Sequence, residues 1–231
     1  MATANPAPVV ISTPAEAAEG DQCVVLRNIG WRGYKTMLRL RGDRPRPKFI
    51  YLDGNLSLVT PELPHERLSR RMGIFVDQVI LGLRLPCFHC GQTTFRWKSK
   101  RGGVEGDHTY YFANEALVRG KMKIDLRVDP PPDLAIEVVY THKADDALKV
   151  YRRLKVPEIW ACDEVRLRIL VRRADGKYVE SSTSMAIPGL MGSDILGWMS
   201  RPYEGPDLDW MEDVRRWVKE VLVPRIQRRE G

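Results

Sequence analysis

The chain has 231 residues, of which 43% are hydrophobic and 29% are charged, a composition typical of a globular protein and not of a disordered one. Lysine and arginine number 37 against 30 acidic residues, for a formal net charge of +7. That balance suits a nucleic-acid partner, although a mildly basic surface also simply keeps a protein soluble. The few cysteines and the lack of a secretory leader or a long apolar run predict a soluble, cytoplasmic protein.

The first elements in the chain are a tail and a hairpin. Residues 1–20 are rich in Ala, Pro, Thr and Glu without periodicity, so we expect a disordered tail. Residues 48–52 and 55–59 are β-compatible runs separated by an Asp-Gly pair. Because Asp-Gly readily supplies the positive φ angles of a tight turn, these runs predict a β-hairpin. The stretch 31–40 carries no clear pattern.

The middle of the chain changes from helical to strand patterns. Apolar residues in 61–83 recur every three or four positions, which predicts an amphipathic helix. Short strands follow at 93–97, 107–112 and 134–140. Residues 134–139 (LAIEVV) are nearly all apolar, as expected for a strand covered on both faces of a sheet. The single acid inside this run, Glu137, is therefore conspicuous.

The second half alternates short helices and strands. The patterns predict a helix at 144–154, strands at 158–163, 166–171 and 177–180, a short helix at 194–199, and a longer amphipathic helix at 209–227 whose last turns Pro224 interrupts. We expect one α/β domain over 21–205, followed at 206–231 by the C-terminal helix and a basic tail.

Two acids on neighbouring strand candidates suggest a metal site. Asp107 opens one strand and Glu137 lies within the next. Hydrolysis of a phosphodiester uses a divalent metal held by carboxylates, with a nearby lysine that orients the attacking water or stabilises negative charge. On its own, a buried acid in a strand is more often a paired structural acid than a metal ligand.

Four segments carry a resemblance to a known family. They are DGNLSLVTPELPHERLSRR (53–71), VEGDHTYYF (104–112), DPPPDLAIEVVYT (129–141) and YRRLKVPEIWACD (151–163). In this order, and over about residues 48 to 200, the chain resembles the Uma-type restriction endonucleases of the PD-(D/E)XK nuclease superfamily. The resemblance implies an α/β fold with a restriction-endonuclease-like mixed β-sheet core flanked by helices.

The resemblance also implies roles for individual residues. Asp107 and Glu137 match the two motif acids, as ligands of Mg²⁺ or Mn²⁺, and Glu66 matches a family Glu that could contribute to the metal through a water. Glu105 stands where the family often has an acid two residues before the Asp. Asp133 is interpreted as a structural residue of its strand, with a role in the site as the alternative. The implied substrate is DNA, and many such nucleases act as homodimers.

One departure from the family concerns the catalytic lysine. Relatives tend to carry it four residues before the tyrosine that matches Tyr151, where this chain has Ala147. Lys143 lies one helical turn earlier and is the better substitute, and Lys149 is the other candidate. The leading hypothesis is thus a metal-dependent endonuclease acting on DNA. The alternative is a catalytically impaired nuclease fold that serves as a DNA-binding or protein-interaction module.

Overall fold

The computed structural model describes residues 10–12, 21–139 and 144–230. The strands are β1 (Val10–Ser12), β2 (Gln22–Arg27), β3 (Lys48–Leu52), β4 (Asn55–Thr60), β5 (Phe88–His89), β6 (Thr94–Trp97), β7 (Gly102–Glu105), β8 (His108–Tyr111), β9 (Leu134–Val138), β10 (Glu158–Cys162), β11 (Leu167–Arg172) and β12 (Tyr178–Ser181). The helices are α1 (Trp31–Arg41), α2 (Leu63–Leu83), α3 (Glu115–Val118), α4 (Ala144–Leu154), α5 (Gly192–Met199), α6 (Asp207–Trp217) and α7 (Val223–Glu230).

The strands form two six-stranded sheets. The first has the order β1-β2-β4-β3-β7-β6 and the second β12-β11-β10-β9-β8-β5. Strands β9 and β10 pair in parallel, while the other described ladders are antiparallel. The predicted α/β class with a mixed sheet is confirmed. Strand β7 of the first sheet ends at Glu105, and β8 of the second sheet begins at His108. Asp107 therefore lies where the two sheets meet.

Three apolar clusters hold the layers together. Helices α2, α5 and α6 pack on one side of the second sheet, around side chains such as Phe75 and Trp160. Helix α4 packs in a cluster shared by the two sheets, which includes Val104 and Ile159. Helix α1 covers the first sheet from its other side, where the rings of Tyr34 and Tyr51 stack with centroids 4.7 Å apart. The junction that carries Asp107 is therefore enclosed by both sheets and by helices.

Several predicted elements are confirmed. The hairpin is β3–β4, and its turn residues have φ angles of 49° at Asp53 and 89° at Gly54, as the Asp-Gly pair predicts. The long helix is α2, and the helix predicted at 144–154 is α4. Helix α1 was not predicted, because its glycine and scattered charges hide the apolar stripe that meets the first sheet.

Of the two expectations about the ends of the chain, one needs correction and the other is confirmed. Residues 10–12 of the expected tail form β1, paired with β2, while the rest of 1–20 lies outside the described residues. The predicted interruption of the C-terminal helix near Pro224 is confirmed. Helix α6 ends at Trp217, a π-helical turn spans Val218–Leu222, and α7 starts at Val223. Pro224 therefore lies in the first turn of α7, where its missing N–H is tolerated. Within the described parts, every helix is too short or too polar to cross a membrane.

Candidate active site

Asp107 is a buried carboxylate with three partners. It is 2% exposed. Its Oδ1 forms an ion pair with Lys48 Nζ and lies 3.1 Å from His65 Nε2. Its Oδ2 accepts a hydrogen bond of 2.9 Å from the backbone N–H of Val138. The last contact ties the junction between the sheets directly to the end of β9, one residue beyond Glu137.

Glu137 lies next to Asp107 on the neighbouring strand. The β8–β9 register pairs His108 with Ile136, so the next residues outward, Asp107 and Glu137, stand opposite each other across the ladder. Glu137 Oε1 accepts a hydrogen bond of 2.6 Å from the hydroxyl of Tyr151 in α4. A Cβ at Gly106 would collide with that hydroxyl and come within 3.1 Å of Glu137 Oε1. The glycine therefore permits this close approach.

The pKa values of the two acids are shifted in opposite directions. Burial alone would raise the pKa of Asp107, but the charge of Lys48 and the hydrogen bond from His65 outweigh it and hold that pKa below its ordinary value. Burial and the negative charge of Asp107 raise the pKa of Glu137 to about 8, against the opposing charge of Lys48. Two neighbouring carboxyls with pKa values pushed apart are typical of functional sites.

Lys48 and His65 are site residues that sequence reasoning missed. Lys48 begins β3 and is 4% exposed. Burial lowers its pKa, but the charges of Asp107 and Glu137 raise that pKa by a larger amount, so the net shift is upward. Burial likewise opposes the hydrogen bonds from His65 to Asp107 and Asp21, which together raise the His65 pKa to about 9. A lysine at the head of an apolar strand was the available signal, of the same kind that singled out Glu137.

The two lysines predicted from sequence lie elsewhere or cannot be placed. Lys149 points to the surface of α4 and forms an ion pair of 3.0 Å with Asp146. Lys143 lies outside the described residues. Ala147, which stands at the family's lysine position, is buried in the cluster around α4. Among the described residues, the ammonium that contacts the acid pair comes from Lys48 on β3.

The remaining candidate acids have other partners. Glu66 is partly exposed and forms an ion pair with Arg46, without a hydrogen bond or ion pair to Asp107 or Glu137 in the described parts of the chain. Glu105 is paired with Arg41. Asp133 accepts hydrogen bonds from the backbone N–H groups of Phe112 and Asn114 and from the Asn114 side chain, in agreement with its structural interpretation. Glu66 as a metal ligand stays a prediction.

The acid pair has the donor chemistry for a hard divalent cation. Mg²⁺ is commonly bound by one or two carboxylates while it keeps several waters. Among the described residues, no group of three or more His, Cys, Asp or Glu side chains is arranged to hold a metal ion. The two acids fit Mg²⁺ or Mn²⁺ in that two-carboxylate manner. Two buried carboxyls that repel each other also offer a cation a favourable electrostatic environment.

Comparisons with known proteins agree with this architecture. Residues 34–202 match the model of the Uma2 family, whose description is "Putative restriction endonuclease". Among solved structures, a putative nuclease belonging to DUF820 from Anabaena variabilis is similar in fold, with a TM-score of 0.51 and 12% identity. The similarity covers 70% of this chain and 96% of that one. Among the curated proteins compared, none is similar enough in sequence to count as a relative.

Proposed function

The chain belongs to the Uma2 family, and from that membership we propose that it is a metal-dependent endonuclease that hydrolyses DNA phosphodiester bonds at Asp107 and Glu137. The single observation that carries the proposal is the juxtaposition of these two buried acids, whose charges interact across the β8–β9 ladder. The family alone supports a nuclease. The choice of metal, of DNA and of these two residues is the content of the proposal.

Two groups of residues would have different roles in such a site: the acids bind the cation, and their hydrogen-bond partners orient the acids. A divalent cation, when bound, neutralises charge on the scissile phosphate and lowers the pKa of the attacking water. Asp107 and Glu137 would supply the carboxylate oxygens that hold it. The Tyr151 hydroxyl fixes the orientation of Glu137, and the backbone N–H of Val138 fixes that of Asp107. Such fixed orientation matters because a ligand misplaced by an ångström weakens both binding and catalysis.

Lys48 is the residue that we assign to the place of the missing family lysine. Its ammonium contacts Asp107 and its charge acts on Glu137. A fixed positive charge beside the reacting phosphate stabilises the negative charge that develops in the transition state. Because β3 is held in the middle of the first sheet between β4 and β7, the lysine is placed by the sheet and does not depend on the sequence of α4.

Nicking of supercoiled plasmid DNA tests the proposal. We expect wild-type protein to nick plasmid in Mg²⁺ or Mn²⁺ and to lose the activity when the metal is chelated. The isosteric variant Glu137→Gln removes one carboxylate and should lower the nicking rate by about 100-fold or more, the scale expected when a metal ligand is lost. The matched control is Glu180→Gln, the same change at an exposed position on β12, which should nick as wild type does.

Other outcomes would favour the alternative function. Equal nicking by wild type and Glu137→Gln would place cleavage in another site or in a contaminant. DNA binding by wild-type protein that is indifferent to metal and is never followed by cleavage would favour a binding module. The ion pair between Lys48 and Asp107 is the observation that keeps this alternative, because the ammonium already neutralises one of the two acids.

A further inference from the structure

A large groove runs along the edge strand of the first sheet. It has a volume of about 960 Å³ and lies along β6, between α1 and the segment 122–127. We call it the basic groove because its charged lining is almost entirely positive. The cations that line it are Lys35, Arg96, Lys98, Arg101, Lys123 and Arg127.

Most of this positive charge is not neutralised. The acid in the lining, Asp125, is already paired with Arg127 at 2.9 Å. Arg101 lies 3.2 Å from Asp53. Within the part of the chain that the structure describes, the other four cations of the basic groove form no ion pair with an acid, and all four are exposed. Such a concentration of unpaired cations in a concave surface attracts a polyanion.

The basic groove extends to β7, close to the junction that carries Asp107. Thr94 lines the groove, and its hydroxyl donates a hydrogen bond of 2.5 Å to Glu105 Oε1. In the β6–β7 register Thr94 stands opposite Glu105, which precedes Asp107 by two residues. A chain molecule lying in the groove therefore has one end beside the junction of the two sheets.

Aromatic side chains stand among the cations. Trp31 and Trp97 line the groove and are both half-buried, so part of each ring faces the groove. Cationic tracks with interspersed aromatic rings are typical of proteins that bind nucleic acid, because phosphates pair with the cations and bases or sugars pack on the rings. An acidic polypeptide would use the cations but would gain little from the rings.

We propose that the basic groove binds the sugar–phosphate backbone of DNA and directs it towards Asp107 and Glu137. The proposal rests on the proposed nuclease function for the identity of the ligand. It assigns the binding of substrate to residues on α1, β6 and the segment 122–127, none of which belongs to the acid pair. DNA binding by this surface requires no bound metal and no cleavage.

Fluorescence anisotropy of labelled DNA in the presence of EDTA tests the groove without cleavage. The probe is a single strand of about 20 nucleotides or its duplex, long enough to fill the groove. The variant Lys35→Gln/Arg96→Gln/Lys123→Gln removes three groove cations. Its control, Arg173→Gln/Lys177→Gln/Arg215→Gln, removes the same charge from exposed positions that do not line the groove. All of these substitutions are at exposed positions and should leave the fold intact, which the melting temperature checks.

We expect the groove variant to bind DNA at least about tenfold more weakly than wild type, and its control to bind nearly as wild type does. The slope of log K against log salt should become shallower by about 2 to 3 for three lost phosphate contacts. Equal losses in both variants would overturn the proposal, as would no DNA binding by wild type at low salt. The proposal would also be overturned if polyglutamate displaced the labelled DNA as effectively as unlabelled DNA of equal charge does. Normal groove binding in a protein that never cleaves would refute the nuclease function alone.

Discussion

Two buried glutamates on adjacent strands, Glu158 and Glu137, have different surroundings. Glu158, the first residue of β10, accepts hydrogen bonds from the Trp160 indole, the Ser184 hydroxyl and two backbone N–H groups, at 2.5 to 2.9 Å. Glu137 on β9 accepts one from Tyr151 and faces a second acid, Asp107. One carboxylate is satisfied by donors, whereas the other is held against a like charge.

The difference separates structural acids from candidates for metal binding. A buried carboxylate surrounded by donors stabilises the fold, because fixed hydrogen bonds from the protein replace those that water would make to the charged group. A carboxylate buried beside another carboxylate costs stability unless a cation joins them. The contrast between Glu137 and Glu158 therefore supports a metal role for the first and not for the second.

Loss of the buried ammonium should have the largest effect on stability. Lys48→Met leaves Asp107 charged and buried without its closest cation, and we expect the free energy of unfolding to fall by about 3–5 kcal/mol. Chemical denaturation at pH 7 without metal measures it. The double variant Lys48→Met/Asp107→Asn removes both charges and should recover most of the loss. A double variant as unstable as the single one would mean that packing by the lysine stem, not charge, explains the effect.

Glu158→Gln should be the next most costly change. The amide keeps the size of the side chain but turns one of the two acceptor oxygens into a donor. Either the N–H groups of Met185 and Ala186, which bond to Oε2, lose their acceptor, or the Trp160 indole and the Ser184 hydroxyl, which bond to Oε1, lose theirs. We expect a loss of about 2–3 kcal/mol, the cost of leaving a buried donor without its charged acceptor. The same denaturation experiment measures it, and a loss below that of Glu137→Gln at pH 6 would contradict the contrast between the two acids.

Glu137→Gln should show its effect through pH. A carboxyl whose pKa is raised to about 8 on folding binds its proton more tightly in the folded protein, so wild-type stability falls as pH rises from about 5 to 8. The glutamine variant has no such proton. Measured without metal, the difference in unfolding free energy should therefore move in favour of the variant by about 1 kcal/mol per pH unit. A difference that is constant over this range would show that Glu137 is not held against Asp107.

Glu66→Gln should have the smallest effect. Its carboxylate is partly exposed and paired with Arg46, and such surface ion pairs contribute about 1 kcal/mol or less. We expect plasmid nicking by this variant to stay within about tenfold of wild type. A loss as large as that of Glu137→Gln would instead support Glu66 as a contributor to the metal site through a water, as the family resemblance implies.

The fold and the two acids could be predicted from the sequence, whereas the residues that contact the acids could not. The Asp-Gly hairpin, α2 and the apolar strand around Glu137 have local signals, and each was predicted. Lys48 could not be assigned to the site from its neighbours, because β3 and the Asp107 junction meet only through the pairing of β3 with β7. Lys143 and Lys149 were chosen by their spacing relative to a predicted helix, whereas the ammonium that contacts Asp107 belongs to Lys48 on β3.

We propose that Asp107 and Glu137 together hold one divalent cation, and calorimetric titration with Mn²⁺ measures that binding. We expect one site per chain in wild-type protein, with binding lost in both Asp107→Asn and Glu137→Gln and retained in Glu180→Gln. Wild-type protein that binds no Mn²⁺, or Asp107→Asn and Glu137→Gln variants that bind it as tightly as wild type, would show that the two acids do not hold the cation.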